Sequence, residues 1–178
     1  LSQVSPIDKT TLAEIDALLQ KEGIRRDGNL DYICAMFDED YHVIGTGSCF
    51  GNTLRCFAVS SDHQGEGLLN QIITHLIEVQ CARGNLHLFL YTKGKSSKFF
   101  GDLGFYEIAR VEDTLVFMEN RRDGFGAYLR GLEKTKTEGR SAALVMNANP
   151  FTLGHQYLVE TAAAACDTLH LFVVSEDA

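Results

Sequence analysis

The stretch LRCFAVSSDHQGEGLLNQIITHLIEVQ, residues 54–80, combines three local patterns whose order decides the fold. Residues 54–59 are a short apolar run that predicts a β-strand, and residues 60–67 contain two glycines among polar residues, which predict a turn. From Leu68 onward, apolar residues recur with the spacing of one buried helix face. This order favours phosphate binding, because the backbone N–H groups of the turn meet the positive end of the helix dipole.

The segments on either side of this stretch predict an α/β chain. Before it, we predict a helix over residues 6–21 with Asp8 as its N-cap, and two strands that form an antiparallel meander with residues 54–59. Those strands cover residues 32–37 and 42–50. After it, we predict a strand at 86–91 beside 54–59, a short helix at 96–102, and a hairpin of 107–111 with 115–118 around Glu112 and Asp113. His75 falls on the polar helix face, so we expect it to be solvated.

Composition and charge argue against several classes of function. The net charge is -8 and no Lys/Arg cluster is present, so we expect no nucleic-acid partner. The five cysteines are scattered and never paired as Cys-x-x-Cys, which predicts reduced thiols and no protein-bound metal. No signal peptide or bilayer-spanning run is seen, so we expect a cytoplasmic protein without a membrane partner. The chain begins without methionine and ends just past a strand-like run, so we expect a fragment.

The glycine turn resembles motif A of the GNAT N-acetyltransferase superfamily, whose Gln/Arg-Gly-x-Gly turn binds the pyrophosphate of coenzyme A. The run Gln64-Gly65-Glu66-Gly67 matches it, and Leu69 stands where glycine or alanine is usual. The run FFGDLGF at 99–105 is also similar, because the superfamily commonly carries an aromatic pair followed by Gly-Phe there. The resemblance covers residues 5–119 and implies the GNAT acyltransferase fold for a domain at residues 1–120. The implied site for a coenzyme A-like group consists of Val59, Gln64, Gly65, Glu66, Gly67 and Leu68.

The resemblance to acetyltransferases also implies an acid or base, but the sequence does not single one out. Tyr91, Tyr106 and Glu107 are all candidates for this role. We therefore assign the role to none of them.

From Arg121 the pattern changes to that of a second domain, which we predict at residues 121–178. A helix at 125–136 is followed by an apolar strand at 141–146, which we expect to be buried, then a helix at 156–166 and a strand at 168–174. This is a βαβ unit, and its loop at 147–155 falls at the carboxyl end of a strand, where ligands bind in such sheets. Gly154 would let the backbone approach a phosphate, and His155 would direct a donor at it. The alternative is that His155 is an ordinary helix cap.

The loop sequence Thr152-Leu153-Gly154-His155 resembles the His-x-Gly-His signature of the nucleotidyltransferase superfamily, with threonine in place of the first histidine. The resemblance implies that residues 121–178 hold the first βαβ unit of a Rossmann-like, ATP-binding domain. It implies His155 and Thr152 as catalytic residues. The implied ATP-binding residues are Asn147, Asn149, Pro150, Phe151, Thr152, Gly154 and His155.

A GNAT-like domain followed by such a loop is similar to the citrate lyase ligase family, and the run MNANPFTLGH at 146–155 carries this resemblance. The family resemblance implies an AMP-forming acid–thiol ligase. Acetate and ATP, accompanied by Mg²⁺, would give acetyl adenylate and pyrophosphate. The acetyl group would then pass to the thiol prosthetic group on the acyl-carrier subunit of citrate lyase, the implied partner.

The family resemblance also bears on each half of the chain. The prosthetic group is a dephospho-coenzyme A derivative, so we expect the coenzyme A-like groove of the first domain to receive it. A second, Ser/Thr-rich phosphate motif usually occurs later in nucleotidyltransferases. None follows here, so we expect the chain by itself to be inactive as a ligase.

Two other readings of the sequence stay open. The chain could be an N-acetyltransferase that uses acetyl-CoA on an amine, with the residues after Arg121 as an appendage. It could also be a non-catalytic module whose first domain docks a protein partner. The sequence does not predict the oligomeric state or the preferred acyl group.

Overall fold

The structure is a computed structural model that describes residues 1–112 and 114–174. It divides into two compact units, Leu1–Phe125 and a second that begins at Gly126. The assignment of these units to two functional domains stays a prediction. Asp113, in the predicted hairpin turn, lies outside the described residues.

The first unit is built on one sheet with the strand order β1-β2-β3-β4-β5-β7-β6. The pair β4–β5 is parallel and the other neighbouring strands are antiparallel. The strands are β1 (Ser2–Gln3), β2 (Tyr32–Phe37), β3 (Val43–Phe50), β4 (Thr53–Val59), β5 (Phe89–Thr92), β6 (Tyr106–Val111) and β7 (Leu115–Glu119). The predicted meander and the predicted neighbours β4 and β5 are confirmed, although β5 begins three residues later than expected.

The helices of this unit are α1 (Lys9–Lys21), α2 (Leu68–Ala82) and α3 (Ser97–Asp102). The predicted N-cap of α1 is confirmed, because the Asp8 carboxylate accepts hydrogen bonds from the Thr11 N–H at 3.1 Å and the Thr11 hydroxyl at 2.8 Å. The predicted start at Pro6 was wrong. The helix begins at Lys9 because Asp8, with φ −78° and ψ 81°, is not helical.

Two apolar clusters form the core. Helix α2 buries Ile72, Ile73 and Leu76 in one of them, and α1 buries Ile15 and Leu19 in the other. Alternate residues of β2 belong to different clusters, so the clusters lie on opposite faces of the sheet. Burying one such aliphatic side chain stabilises the fold by about 1.5–3 kcal/mol.

Helix α2 lies very close to the sheet because β3 presents glycines to it. A Cβ atom on Gly47 would stand 2.6 Å from Ile72 Cγ2 and 2.9 Å from Leu76 Cδ1. Both distances are shorter than ordinary contact between carbon atoms. Glycine at this position therefore sets how closely α2 approaches β3.

The expectation that His75 is solvated was wrong. Its Nε2 atom lies 2.7 Å from the Tyr32 hydroxyl, and the side chain is half-buried. The Arg83 guanidinium lies 5.3 Å from the centre of the Tyr32 ring and pairs with Asp31 at 2.7 Å. The helix periodicity could not show this contact, because only the tertiary fold brings Tyr32 of β2 against His75.

Two buried cysteines lie in the same core. Cys34 and Cys49 are both fully buried, and burial raises the pKa of the Cys34 thiol to about 12 and that of Cys49 to about 11. Cys81, on α2, is exposed. The buried thiols therefore stay protonated and behave as small core residues, as the sequence predicted.

The end of the first unit is fixed by a buried carboxylate. Glu119 is 3% exposed, and its Oε1 atom accepts a hydrogen bond from the Phe125 N–H at 2.7 Å. Its Oε2 atom lies 2.5 Å from His87 Nε2. These two contacts hold the segment that follows β7 against the sheet.

The second unit contains β8 (Ser141–Met146), α5 (Leu153–Ala164) and β9 (Thr168–Val173), and α4 (Gly124–Glu133) leads into it. Strands β8 and β9 pair in parallel, so the predicted βαβ unit is confirmed. The predicted C-terminal end of α4, at residue 136, and the predicted start of α5, at Gln156, were each wrong by three residues. Among the described residues of β8, only Met146 is buried. The expectation of a buried strand was therefore wrong, because the two-stranded sheet does not cover both faces of the strand.

We expect Gly47→Ala to lower the free energy of unfolding by about 1–3 kcal/mol, because the added methyl group overpacks the α2–β3 contact. Gly28→Ala is the matched control, since a Cβ atom there meets nothing within 4 Å and the backbone is not left-handed. That variant should change stability by less than about 0.5 kcal/mol. Urea denaturation would measure both. Equal stabilities of the two variants would contradict the close packing described for Gly47.

We expect iodoacetamide at about pH 8 to modify Cys81 and to leave Cys34 and Cys49 unmodified, because the buried pair holds almost no thiolate below its raised pKa values. Peptide mass spectrometry would measure the extent at each position. Urea-unfolded protein is the control, in which all three should react at similar rates. Modification of Cys34 in the folded protein as fast as that of Cys81 would contradict the burial.

Candidate functional site

A cleft of about 1100 Å³ opens in the first unit between β4 and β5. These parallel strands pair only at Thr53–Phe89 and Leu54–Leu90, so beyond these positions they diverge. The register of β4 against β3 also shifts near Cys56, which has a left-handed φ of 49°. The divergence leaves a space large enough for a cofactor-sized molecule.

The glycine turn forms one end of this cleft. Gly65 and Gly67 have φ of 94° and 73°, a conformation that favours glycine, and a Cβ atom on either would meet nothing within 4 Å. Gly67 is the N-cap of α2 and supplies no side-chain hydrogen bond. The first N–H groups of the helix are therefore not capped by its own N-cap side chain, which suits an anionic ligand.

The structure brings together most of the residues predicted for the coenzyme A-like site. Glu66 is the exception, because it is exposed and does not line the cleft. The residues that do line it are Val59, Gln64, Gly65, Gly67 and Leu68. Their role in binding stays a prediction.

The cleft also contains charged residues that the sequence did not single out. Arg25, Lys93 and Lys95 line it. Lys93 donates a hydrogen bond to the Glu22 carbonyl at 2.7 Å, and this contact ties the end of β5 to the segment after α1. Both lysines come soon after the end of β5, which pairs with β4, the strand that leads into the glycine turn. This position in the sequence could have indicated them as residues of the cleft.

Two groups in and near the cleft bear on acid–base chemistry. Burial raises the pKa of the Cys56 thiol, whose sulfur accepts a hydrogen bond from the Asp27 N–H at 3.5 Å, so the thiol is not prepared as a nucleophile. Arg110 lies 2.6 Å from Glu107 and lowers the pKa of that carboxyl. Tyr91 lines the cleft, whereas Glu107 and Tyr106 do not.

In the second unit, the predicted nucleotide loop joins β8 to α5. Thr152 is the N-cap of α5, and the helix begins at Leu153 instead of Gln156. The Thr152 N–H donates to His155 Nδ1 at 3.1 Å, and the Thr152 hydroxyl lies 2.9 Å from the same atom. The His155 N–H points back to the Thr152 hydroxyl at 3.4 Å. His155 therefore takes part in the helix cap through its Nδ1 atom, as the alternative interpretation of the sequence predicted.

The rest of the loop lies directly before this cap. Asn147 follows β8, Ala148 has a left-handed φ of 51°, and the Asn149–Pro150 peptide is cis. The Phe151 ring stacks on the His155 ring, with centroids 5.8 Å apart. A Cβ atom on Gly154 would lie 3.6 Å from Thr152 Oγ1, so a side chain would fit there and the glycine is not required by local packing. All the residues predicted to bind ATP lie in this loop or in the first turn of α5, and their role stays a prediction.

Within residues 1–112 and 114–174, no three His, Cys, Asp or Glu side chains come together as a metal site. No helix in the same residues is long and apolar enough to cross a bilayer.

Solved structures share the fold of the first unit. An acyl-CoA N-acyltransferase from Pseudomonas aeruginosa matches 67% of this chain and 97% of its own, with a TM-score of 0.55 and 14% identity. An aminoglycoside 6'-N-acetyltransferase complexed with coenzyme A matches 66% of this chain and 94% of its own, with a TM-score of 0.56 and 13% identity. At such identities the likeness concerns the fold alone. The predicted GNAT fold is confirmed.

Curated relatives share the sequence over both units. The "[Citrate [pro-3S]-lyase] ligase" of Klebsiella pneumoniae is 40% identical over 172 residues, which cover 96% of this chain and 50% of that protein. The Escherichia coli protein of the same name is 36% identical over 177 residues, which cover 99% of this chain and 50% of that protein. The chain thus spans about half the length of the curated relatives it matches.

The family model described as the citrate lyase ligase C-terminal domain matches residues 141–178, the segment that contains the loop from Asn147 to His155. The resemblance predicted from that loop is therefore confirmed by a second comparison. Over nearly its whole length, this chain is similar in sequence to proteins named citrate lyase ligase, and residues 141–178 match the model of that family's C-terminal domain.

Proposed function

We propose that this chain is part of an AMP-forming acid–thiol ligase that acetylates the prosthetic group of the citrate lyase acyl carrier. In the first step, an acetate oxygen attacks the α-phosphate of ATP, and pyrophosphate leaves with the electron pair of the broken P–O bond. In the second step, the carrier thiol attacks the acetyl carbonyl, loses its proton and releases AMP. The observation that carries the proposal is the family match over residues 141–178, which includes the capped loop at the start of α5.

The adenylation step would take place at this loop. Negative charge develops on the oxygens between the α- and β-phosphates, so the chemistry needs donors that are already in position. The first N–H groups of α5 and the His155 ring lie together there. His155 is the proposed donor to the phosphates, and the stretch Asn147–Phe151 is proposed to surround the nucleotide. Mg²⁺ would arrive bound to the phosphates of ATP, and no residue of this chain is assigned to it.

The cleft of the first unit would receive the prosthetic group. That group carries a pyrophosphate, and the glycine turn offers backbone N–H groups at the positive end of α2. Arg25, Lys93 and Lys95 add positive charge around the same cleft. Two observations argue against an amine acetyltransferase that works through Cys56 and Glu107. The pKa of the Cys56 thiol is raised, and Glu107 does not line the cleft.

We expect His155→Ala to reduce acetate-dependent ATP–pyrophosphate exchange of the full-length protein by about 10²–10³-fold, because one preorganised donor to the developing charge is lost. His155→Gln should restore the helix cap and not the exchange, since its amide can accept from the Thr152 N–H but lacks the imidazole ring. His42→Ala, in the exposed turn before β3, is the control and should exchange like the parent. Exchange that is unaffected in His155→Ala would contradict the proposed site.

We expect Gly67→Ala to weaken binding of dephospho-coenzyme A by about tenfold, or about 1.4 kcal/mol, because a Cβ atom on the wall of the cleft would keep the ligand away from the first N–H groups of α2. Gly84→Ala is the matched control. It follows the opposite end of α2, has a φ of 85°, and likewise has open space around its Cβ position. Isothermal titration calorimetry would measure binding.

Three outcomes of the titration distinguish the readings of the first unit. Weaker binding of dephospho-coenzyme A in Gly67→Ala alone would support the cleft as its binding site. Equally weak binding in both variants would show that the loss comes from strain at the ends of α2. A folded parent that does not bind dephospho-coenzyme A would remove the groove from the proposal. Turnover of acetyl-CoA with an amine would instead favour an N-acetyltransferase.

A further inference from the structure

Thr152 and His155 contact each other through four atoms. The Thr152 N–H donates to His155 Nδ1 at 3.1 Å, and the Thr152 hydroxyl oxygen lies 2.9 Å from Nδ1. The His155 N–H donates back to the Thr152 hydroxyl oxygen at 3.4 Å. Both polar groups of Thr152 that can donate a hydrogen bond are therefore directed at one ring nitrogen.

These contacts decide which nitrogen of His155 carries the proton. A backbone N–H can only donate, so Nδ1 must accept from Thr152 and cannot hold a proton of its own in this arrangement. The neutral ring consequently carries its proton on Nε2. Nε2 is the atom of the ring that is left to donate to a ligand.

The same contacts limit what the Thr152 hydroxyl can do. It has a single proton, and with Nδ1 as the acceptor at 2.9 Å that proton shares the one lone pair of the nitrogen with the Thr152 N–H. The hydroxyl oxygen meanwhile accepts from the His155 N–H. While it makes these two contacts within the cap, the hydroxyl does not donate to a phosphate.

We propose that Thr152 is a positioning residue: its backbone N–H and hydroxyl together hold His155 Nδ1, so that Nε2–H points to the ligand. The proposal rests on the function proposed above and gives Thr152, which the family resemblance implies as a catalytic residue, a positioning role instead. Phe151 assists by stacking on the same ring at an interplanar angle of 26°. A ring held at one nitrogen and on one face has little freedom to reorient before the reaction.

A double-mutant cycle on the full-length protein tests this role through acetate-dependent ATP–pyrophosphate exchange. Thr152→Val should lower the maximal rate of exchange about tenfold in the parent, the effect of losing about one hydrogen bond to a reacting group. The same substitution should have almost no effect when His155 is already alanine, because Thr152 acts through that ring. Thr152→Ser, which keeps the hydroxyl, should restore exchange.

Thr161→Val is the matched control for removal of a hydroxyl. Thr161 lies on the same helix, and its hydroxyl donates to the Tyr157 carbonyl at 2.7 Å. This variant should exchange like the parent. A tenfold loss for Thr152→Val in both backgrounds would overturn the proposal, since the hydroxyl would then act independently of His155. An unchanged rate for Thr152→Val in the parent would overturn it as well.

A spectroscopic measurement separates this inference from the proposed function. In protein with ¹⁵N-labelled histidine, the Nδ1 resonance of His155, assigned by its loss in His155→Ala, should shift in Thr152→Val and not in Thr152→Ser or Thr161→Val. A resonance unchanged in Thr152→Val would overturn the positioning role whatever the exchange rate. If a folded parent shows no exchange, the proposed ligase function fails, and the NMR result alone decides whether Thr152 positions His155.

Discussion

Strands β4 and β5 pair at only two positions, and the rest of the first unit depends on this limited pairing. The strands are joined by the glycine turn and α2, and α2 can cross the sheet at this point because the glycines of β3 let it approach closely. Where the strands separate, their backbone groups no longer face each other and a cleft remains. The turn, the start of α2 and the basic residues after β5 all face that cleft. Its position is thus a consequence of how the sheet is paired.

In the second unit, one set of hydrogen bonds serves both stability and the proposed chemistry. The contacts between Thr152 and His155 begin α5, and an N-cap of this kind stabilises a helix by about 1 kcal/mol. The same contacts leave the other ring nitrogen as a donor beside the N-terminus of the helix. A histidine that caps a helix and a histidine that binds a phosphate are therefore compatible readings of one residue, because they use different nitrogens.

Much of the fold could be predicted from the sequence, and the errors have a common origin. The βαβ unit and the meander were predicted because apolar periodicity and capping residues report on neighbours a few positions away. His75 was misjudged because Tyr32, which contacts it, lies 43 residues earlier in the chain. The apolar composition of β8 predicts a buried strand. Burial, however, depends on which other elements cover the sheet, and the sequence of a single strand does not contain that information. Glu66 lies between Gly65 and Gly67 in the sequence, and only the turn geometry leaves it out of the cleft.

The sequence by itself determined the order of the elements, the glycine turn at residues 64–67, and the place of the loop at 147–155 between a strand and a helix. These features follow from steric and hydrogen-bond preferences that act within one turn or one strand. Only the tertiary structure decided that β4 and β5 diverge and that Lys93 reaches the carbonyl of Glu22. Such contacts depend on distances and orientations between groups that local preferences leave free, so they are settled when the chain packs.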